Sequence, residues 1–441
     1  MQPRPKNKLI LNRSALACGI EFMHAENRVV IVFESLDDVV NLQPLTLTRP
    51  VFLLKVGPRT ILEEIEAAVG APRALYTRAY LAEHVQSLTG IPVNPKGLYK
   101  NVLVVNASYL PQQSVACGND EAYFHRGKLV YACLRELSVG DPLSLAETVE
   151  KVAAGLGRQE LSNALTVGRL WDLSKLPHVT IPREAARVTW ASAPPHGVNV
   201  IGEPSRLLLH PESRVIPPVT VDTTKGPVIV EARAVVGPFT YIEGPAYIGP
   251  ETRVRVSTVI RAGSSIGEAC RVGGEVSESI IHGYSNKAHD GFLGNSYVGE
   301  WVNIAAGAIT GNLRNDYGEI VVYTPRGPTK TGETKVGSFI GDHARVSIGT
   351  MLNAGTIVGV AANVVAPEMA PKYIPSFTRL HRMKLEEIPL KEALSAIDRM
   401  MGRRGRKLTS GEVAILRHVY EATAEERSYY AKFYSDRYGR R

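Results

Sequence analysis

The chain has 441 residues, with 44% hydrophobic and 21% charged side chains, a soluble globular balance that excludes a disordered chain. No apolar run approaches the ~18 residues of a membrane span, and at ~100–200 residues per domain the length implies two to four domains. The net charge of +8 is concentrated in the tail: from Thr378 to Arg441, fifteen basic and nine acidic side chains leave +6. Such a tail is more often a solvated helix face or a subunit contact than a nucleic-acid site, so nucleic acid is not the expected partner. The 39 glycines and 28 prolines suit many short strands and turns.

In chain order, residues 1–27 form a basic extension whose apolar stretch is broken by Asn12, Arg13 and Ser14, so it reads as neither signal peptide nor anchor. Met23 is an alternative start. Residues 28–195 read as an α/β domain. Val29–Phe33 and Val102–Val105 are buried strands, Leu129–Ala132 is a third, and 59–69 is a helix with Ile61, Leu62, Ile65 and Ala68 on one face. The four cysteines, Cys18, Cys117, Cys133 and Cys270, show no CxxC spacing and no dense framework. A reducing, cytoplasmic setting without a cysteine zinc site is the expectation. Ala191 to Pro195 reads as the exit linker.

The strongest signal follows. Val230, Val236, Ile242, Ile248, Val254, Ile260, Ile266 and Val272 recur every sixth residue, with Gly237, Gly249, Gly267 and Gly273 directly after four of them. The pattern returns at Val298 and Ile304, and from Ile340 to Val364. This period specifies a parallel β-helix over 205–370, with three hexads to a triangular coil and the aliphatic residues pointing inward. The glycines are expected at corners needing positive φ. Two segments break the pattern, Glu275 to Gly291 and Leu313 to Lys335, and both read as loops ejected from the scaffold.

Residues 376–441 read as a basic helical tail. Pro389 starts one helix, and Thr409 with Glu412 forms a capping box for another. The second helix carries Val413, Leu416, Val419 and Tyr420 on one face, which needs a partner surface, another subunit being one source.

The densest polar cluster is His282-Gly283-Tyr284-Ser285-Asn286-Lys287-Ala288-His289-Asp290-Gly291, followed by Asn295, Asn303 and Asn312. A neutral His is suited to take the proton of an attacking amine in acyl transfer. Backbone N–H groups on a rigid coil can face the developing oxyanion. Two alternatives stand beside this: His289 as a surface-loop residue, and a metal held by His282 and His289, whose separation is no tight ligand motif.

Asn286-Lys287-Ala288-His289, Leu293-Gly294 and the run from Val298 to Asn312 resemble the acetyltransferase domain of the bifunctional N-acetylglucosamine-1-phosphate uridylyltransferase/glucosamine-1-phosphate N-acetyltransferase family, in a divergent branch. The resemblance covers roughly Arg206 to Pro375. It implies a left-handed β-helix, with His289 as general base. It implies a substrate and acetyl-CoA groove drawn from Tyr284, Asn286, Lys287, Asp290, Asn303 and Asn312. It also implies a homotrimer with its grooves between subunits. Phe292 and Leu313 stand where the family carries Tyr, and its preceding Lys is replaced within Gly273-Gly274-Glu275.

Upstream, Pro44 to Pro50, Leu54 to Gly57 and Ile61 to Glu63 resemble the opening of sugar-1-phosphate nucleotidyltransferases, which makes Arg49 and Lys55 candidate phosphate contacts. Two features of that family are absent. Val29–Phe33 is followed by Glu34-Ser35-Leu36-Asp37-Asp38, without glycine, and Val102–Val105 by Asn106-Ala107-Ser108, where Mg²⁺ would need a carboxylate. Mg²⁺ is therefore implied only if this domain is active.

The combined expectation is an acetyltransferase acting on an amino-sugar 1-phosphate in nucleotide-sugar synthesis, joined to a diverged nucleotidyltransferase domain. Its ligands are a sugar phosphate and a nucleotide sugar, with no metal site and no membrane partner. The first alternative is a nucleotidyltransferase whose β-helix is an assembly scaffold. The second is a non-catalytic assembly or sugar-nucleotide sensor.

Overall fold

The computed structural model describes residues 28–112, 115, 117–366 and 368–438. The extension 1–27 lies outside them.

The N-terminal region is built on a six-stranded mixed sheet, in the spatial order Ala74–Tyr76, Val29–Phe33, Gly97–Asn106, Lys128–Val139, Glu121–His125, Gly157–Glu160. Val29–Phe33 runs parallel to both its neighbours, whereas Gly97–Asn106 and Lys128–Val139 are antiparallel. The run Val29-Val30-Ile31-Val32-Phe33 is apolar throughout because both faces of the sheet are covered. Val30 and Val32 enter the core on one side, Ile31 and Phe33 the core on the other. The helix expected at 59–69 spans Ile61–Val69, with Thr60 and Glu63 forming its capping box and Gly70 (φ 91°) ending it.

Cys117 and Cys133 form a disulfide, with Cα atoms 6.3 Å apart. Cys133 lies in a strand and Cys117 just before its antiparallel neighbour, a juxtaposition their spacing in sequence does not announce. No helix among the described residues is long and apolar enough to cross a membrane.

After an irregular stretch from Val188 to Gly197, the chain winds into a parallel β-solenoid of about ten coils. The hexad residues stack as three inward columns. The first face holds Val236, Val254, Val272, Lys287, Ile304, Val346, Val364 and Leu380, all buried. The second holds Val230, Ile248, Ile266, Ile281, Val298, Ile340, Val358 and Ile374, and the third includes Ile242, Ile260, Val276 and Leu293. Burying each aliphatic side chain contributes roughly 1.5–3 kcal/mol.

The hexad glycines serve a purpose other than the one expected. Gly237, Gly249, Gly267 and Gly273 do not have positive φ. A Cβ on Gly267 would collide with the carbonyl oxygen of His282 in the following coil, so close stacking demands the glycine. The left-handed corner positions are instead taken by Glu251, Ala269, Tyr284, Trp301 and His343, with φ between 52° and 61°.

The first expected interruption is not an ejected loop. Glu275–Ser277, Ile280–Gly283 and Asn286–Lys287 all pair in register with the coil before, and only the corners are shorter. The hexad spacing is lost there while the solenoid continues. The second is a true insertion carrying the hairpin Val321–Thr324/Gly327–Lys330, whose Arg326 reaches Asp37 of the N-terminal region (2.6 Å).

The tail forms helices Leu390–Gly402, Ser410–Ala422 and Ala424–Tyr438, and Thr409 and Glu412 make the expected capping box. The partner of the second helix is this chain itself. Ile415, Leu416 and Val419 join the core of the N-terminal region, and His418 stacks on Tyr80 at 3.9 Å. The strand Thr378–His381 in the last coil is followed by an antiparallel return strand, Lys384–Glu387, and the helix Ala424–Tyr438 lies against that strand.

Candidate active site

Lys287 occupies an inward position of the first face, where neighbouring coils place Val272 and Ile304. Its ammonium donates to the carbonyl oxygens of Gly273 (2.8 Å) and His289 (2.5 Å). Burial pushes this amine down to about 8, while Asp290 pulls the other way. The backbone of the His289 loop is thus held from beneath by a buried cation. From above, the Gly307 N–H donates to the Asp290 carbonyl at 2.9 Å. The side chains of His289 and Asp290 stand exposed at the corner between the first and third faces. The His289 ring makes no hydrogen bond to any described residue. Outside this corner Ile348 is 77% exposed, and on the third face Ile309, Met351 and Met369 stack outward in register, each more than a third exposed.

The remaining candidates separate. Asn286 and Asn303 are ladder partners whose side chains meet at 3.4 Å. The Asn286 carbonyl oxygen also accepts from Arg404 of the tail (2.8 Å). Tyr284 lies at another corner, stacked on Trp301 at 4.6 Å, with its hydroxyl accepting from Arg406 (3.1 Å). Asn312 donates to Asn295 (2.7 Å), which donates to Glu278 (2.9 Å). The strand Phe292–Gly294 runs from the His289 corner to the Asn295 corner, so Asn312 belongs to the far end of the third face. Arg404 and Arg406 were not singled out from sequence; their signal was the basic run in the tail.

Arg49 and Lys55 line a cavity of about 490 Å³ at the junction of the N-terminal region and the solenoid, and Arg49 is already engaged there by carboxylates. It is buried between the N-terminal region and the solenoid, paired with Asp342 and with Glu300 (3.4 Å). Burial works against its charge, but these carboxylates hold its pKa above the ordinary value, and Arg49 in turn keeps Glu300 well below its own. His282 joins the same network, its Nδ1 2.8 Å from Glu300. Burial and then Arg49 lower its pKa. His282 is therefore no partner to the exposed His289, and no cluster suited to a metal occurs among the described residues. Lys55 is also a joint: its backbone N–H donates to the Tyr297 hydroxyl (3.0 Å) and its amine to the Pro58 carbonyl (3.3 Å).

The N-terminal region has a cavity of about 1060 Å³ at the carboxyl end of Val29–Phe33, lined by Glu34, Ser35, Asp38, Arg78, Lys128 and Arg326 among others. Ser35, where a nucleotidyltransferase places glycine, caps the short helix Leu36–Asn41. Asp38 is buried and pairs with Lys128, and Glu34 pairs with Arg78 at 2.9 Å. The Asn106 carbonyl oxygen accepts from the Ser108 N–H and hydroxyl, and its amide donates to Leu129. A neutral, fully engaged Asn and an internally neutralised Asp do not fit a Mg²⁺–triphosphate site.

Comparison with known proteins places these observations. Residues 30–190 match the family described as sugar nucleotidyl transferase. A bifunctional sugar-1-phosphate nucleotidylyltransferase/acetyltransferase of Sulfurisphaera tokodaii is 35% identical over 146 residues, covering 32% of this chain and 35% of that protein. A bifunctional protein GlmU of Synechococcus elongatus is 27% identical over 148 residues, covering 33% of this chain and 25% of that protein. The chain thus spans about a third or less of the length of these relatives. Among solved structures, the acetyltransferase domain of PglB from Neisseria gonorrhoeae with acetyl coenzyme A is 11% identical, with a TM-score of 0.17, covering 82% of this chain and all of that one.

Proposed function

We propose that this chain is an acetyltransferase that moves an acetyl group from acetyl-CoA to the amine of an amino-sugar 1-phosphate. The observation that carries this reading is the His289 corner: an exposed imidazole on a loop fastened from inside by Lys287 and from the next coil by Gly307. As the amine nitrogen attacks the thioester carbonyl, His289 takes its proton. Backbone N–H groups of the coils are available to face the oxyanion. The attack forms the C–N bond; collapse of the adduct then restores the carbonyl and breaks the C–S bond, and the departing thiolate recovers the proton from His289. Asn286 and Asn303, on the first face that adjoins this corner, offer neutral donors and acceptors for the sugar or the coenzyme.

The outward stripe of Ile309, Met351 and Met369, with Ile348 beside it, is apolar surface that a second copy would cover, in keeping with a trimer whose groove includes His289. The name of the Sulfurisphaera tokodaii relative, a sugar-1-phosphate nucleotidylyltransferase/acetyltransferase, supports acyl transfer in sugar metabolism. The N-terminal cavity is large enough for a sugar nucleotide, and its ion pairs favour binding there over nucleotidyl transfer.

Acetyl-CoA-dependent thiol release with glucosamine-1-phosphate tests the reading, comparing the chain with His289→Ala and measuring the oligomeric state of each. Turnover by the parent and a loss of about 10²-fold in the variant, with assembly intact, supports the assignment. Equal, background-level rates would remove it.

A further inference from the structure

The residue just before each inward aliphatic of the first face points outward, and these residues also stack in register. Read along the solenoid, the column is Arg214, Val235, Arg253, Arg271, Asn286, Asn303, Arg345, Asn363, Arg379. Arg253 lies directly against Arg271, about 4.8 Å away along the ladder. Like charges placed opposite each other in a sheet are destabilising. The tail intensifies the conflict: Arg404 crosses to this face, donating to Asn286 (2.8 Å) and to the Ala269 carbonyl (2.7 Å), and so fills the gap in the column with another guanidinium.

Carboxylates do not resolve the repulsion. Arg253, Arg271 and Arg404 make no ion pair with any described residue, and the buried Arg345 Nε has no hydrogen-bond partner among them. Of the column residues on this upper stretch, Arg379 has an ion pair, with Glu392 (2.5 Å). Burial and then neighbouring arginines lower the pKa of Arg404 and of Arg345, as expected where guanidiniums crowd one another. A row of guanidiniums without carboxylate partners at coil spacing is complementary to linked phosphates.

We propose that the arginine column on the first face of the solenoid, with Arg404 of the tail beside it, binds a polyphosphate anion, with Arg253, Arg271, Arg404 and Arg345 as its ligands. The column is interleaved with Asn and Val and lacks aromatic rings, so it offers no stacking platform for bases. That favours a phosphate chain over single-stranded nucleic acid. The column shares the first face with Asn286 and Asn303, and Arg404 touches Asn286, but the observations that carry this site do not rest on the reading of His289.

The test uses the full chain and tripolyphosphate at low salt, read by calorimetry and by thermal melting. The parent is expected to bind and to gain melting temperature, with affinity falling as salt rises. The double variant Arg253→Gln/Arg271→Gln is expected to melt no lower than the parent without anion, because it relieves repulsion, and to bind at least tenfold more weakly. A variant that binds equally well, a parent that does not bind, one-for-one displacement by coenzyme A, or tighter binding of a single-stranded oligonucleotide would each overturn the proposal.

Discussion

Both large regions contain a pocket or corner where chemistry is expected, but they treat charge in opposite ways. In the N-terminal region almost every relevant ion is paired inside the protein: Asp38 with Lys128, Glu34 with Arg78, Arg49 with Asp342 and Glu300. On the solenoid the candidate base is exposed, and the nearest buried charge, Lys287, spends its donors on backbone carbonyls that shape the base's loop. Charge that is internally neutralised holds an architecture, whereas charge left facing solvent remains available to a substrate.

Substitutions at the two regions should dissociate stability from rate. The largest effect is expected for Arg49→Met, which leaves the buried Asp342 and the partly exposed Glu300 without their shared cation and should cost about 3 kcal/mol. Denaturant unfolding would show it, with turnover per folded molecule unchanged. A stable Arg49→Met that loses phosphate binding would reverse the contrast. Next comes His289→Ala, expected to lose about 10²-fold in kcat/KM, near 2.7 kcal/mol of transition-state stabilisation, with an unchanged unfolding curve.

Lys287→Met should sit between these two behaviours. Replacing the buried ammonium with an apolar chain of similar volume removes the cost of burying its charge, yet it releases the Gly273 and His289 carbonyls, and a roughly tenfold fall in kcat is expected. Its pH signature has a definite sign. The folded amine titrates at about 8 and the unfolded one near 10.4. Between these values the unfolded chain keeps a proton that the folded chain has released, so the parent gains stability as pH rises through this window. The stability difference between Lys287→Met and parent should be largest below pH 8 and shrink above it. The smallest effect is expected for Thr409→Ala, about 1 kcal/mol from the lost cap, read by thermal melting.

What could be read from sequence follows from how local each cause is. The solenoid was legible because every coil repeats the same inward demand, and helix starts were legible because a capping box spans four residues. Coil shortening between Val272 and Asn303 was not, because the ladder tolerates shorter corners while a spacing rule does not. The ion pairs of Arg49 were not legible because its partner Asp342 lies 293 residues away. The exposed polar cluster around His289 was legible, but its support by Lys287 depends on the lysine side chain turning inward at an aliphatic position. The partner of the tail was equally non-local: the helix asked for an apolar surface, and only the fold shows that the surface is Tyr80 and its neighbours.

The return strand Lys384–Glu387 has a consequence for polymerisation. A parallel solenoid ends in a row of open backbone groups, onto which a second chain could add coil upon coil without limit. Here the final ladder strand folds back on itself, its edge carries Lys384, Glu386 and Glu387, and the helix Ala424–Tyr438 lies across it, with the Tyr434 hydroxyl fixed to the Tyr373 carbonyl at 2.6 Å. The tail is in this sense a terminator: it gives the fibre-like geometry of the repeat a finite length.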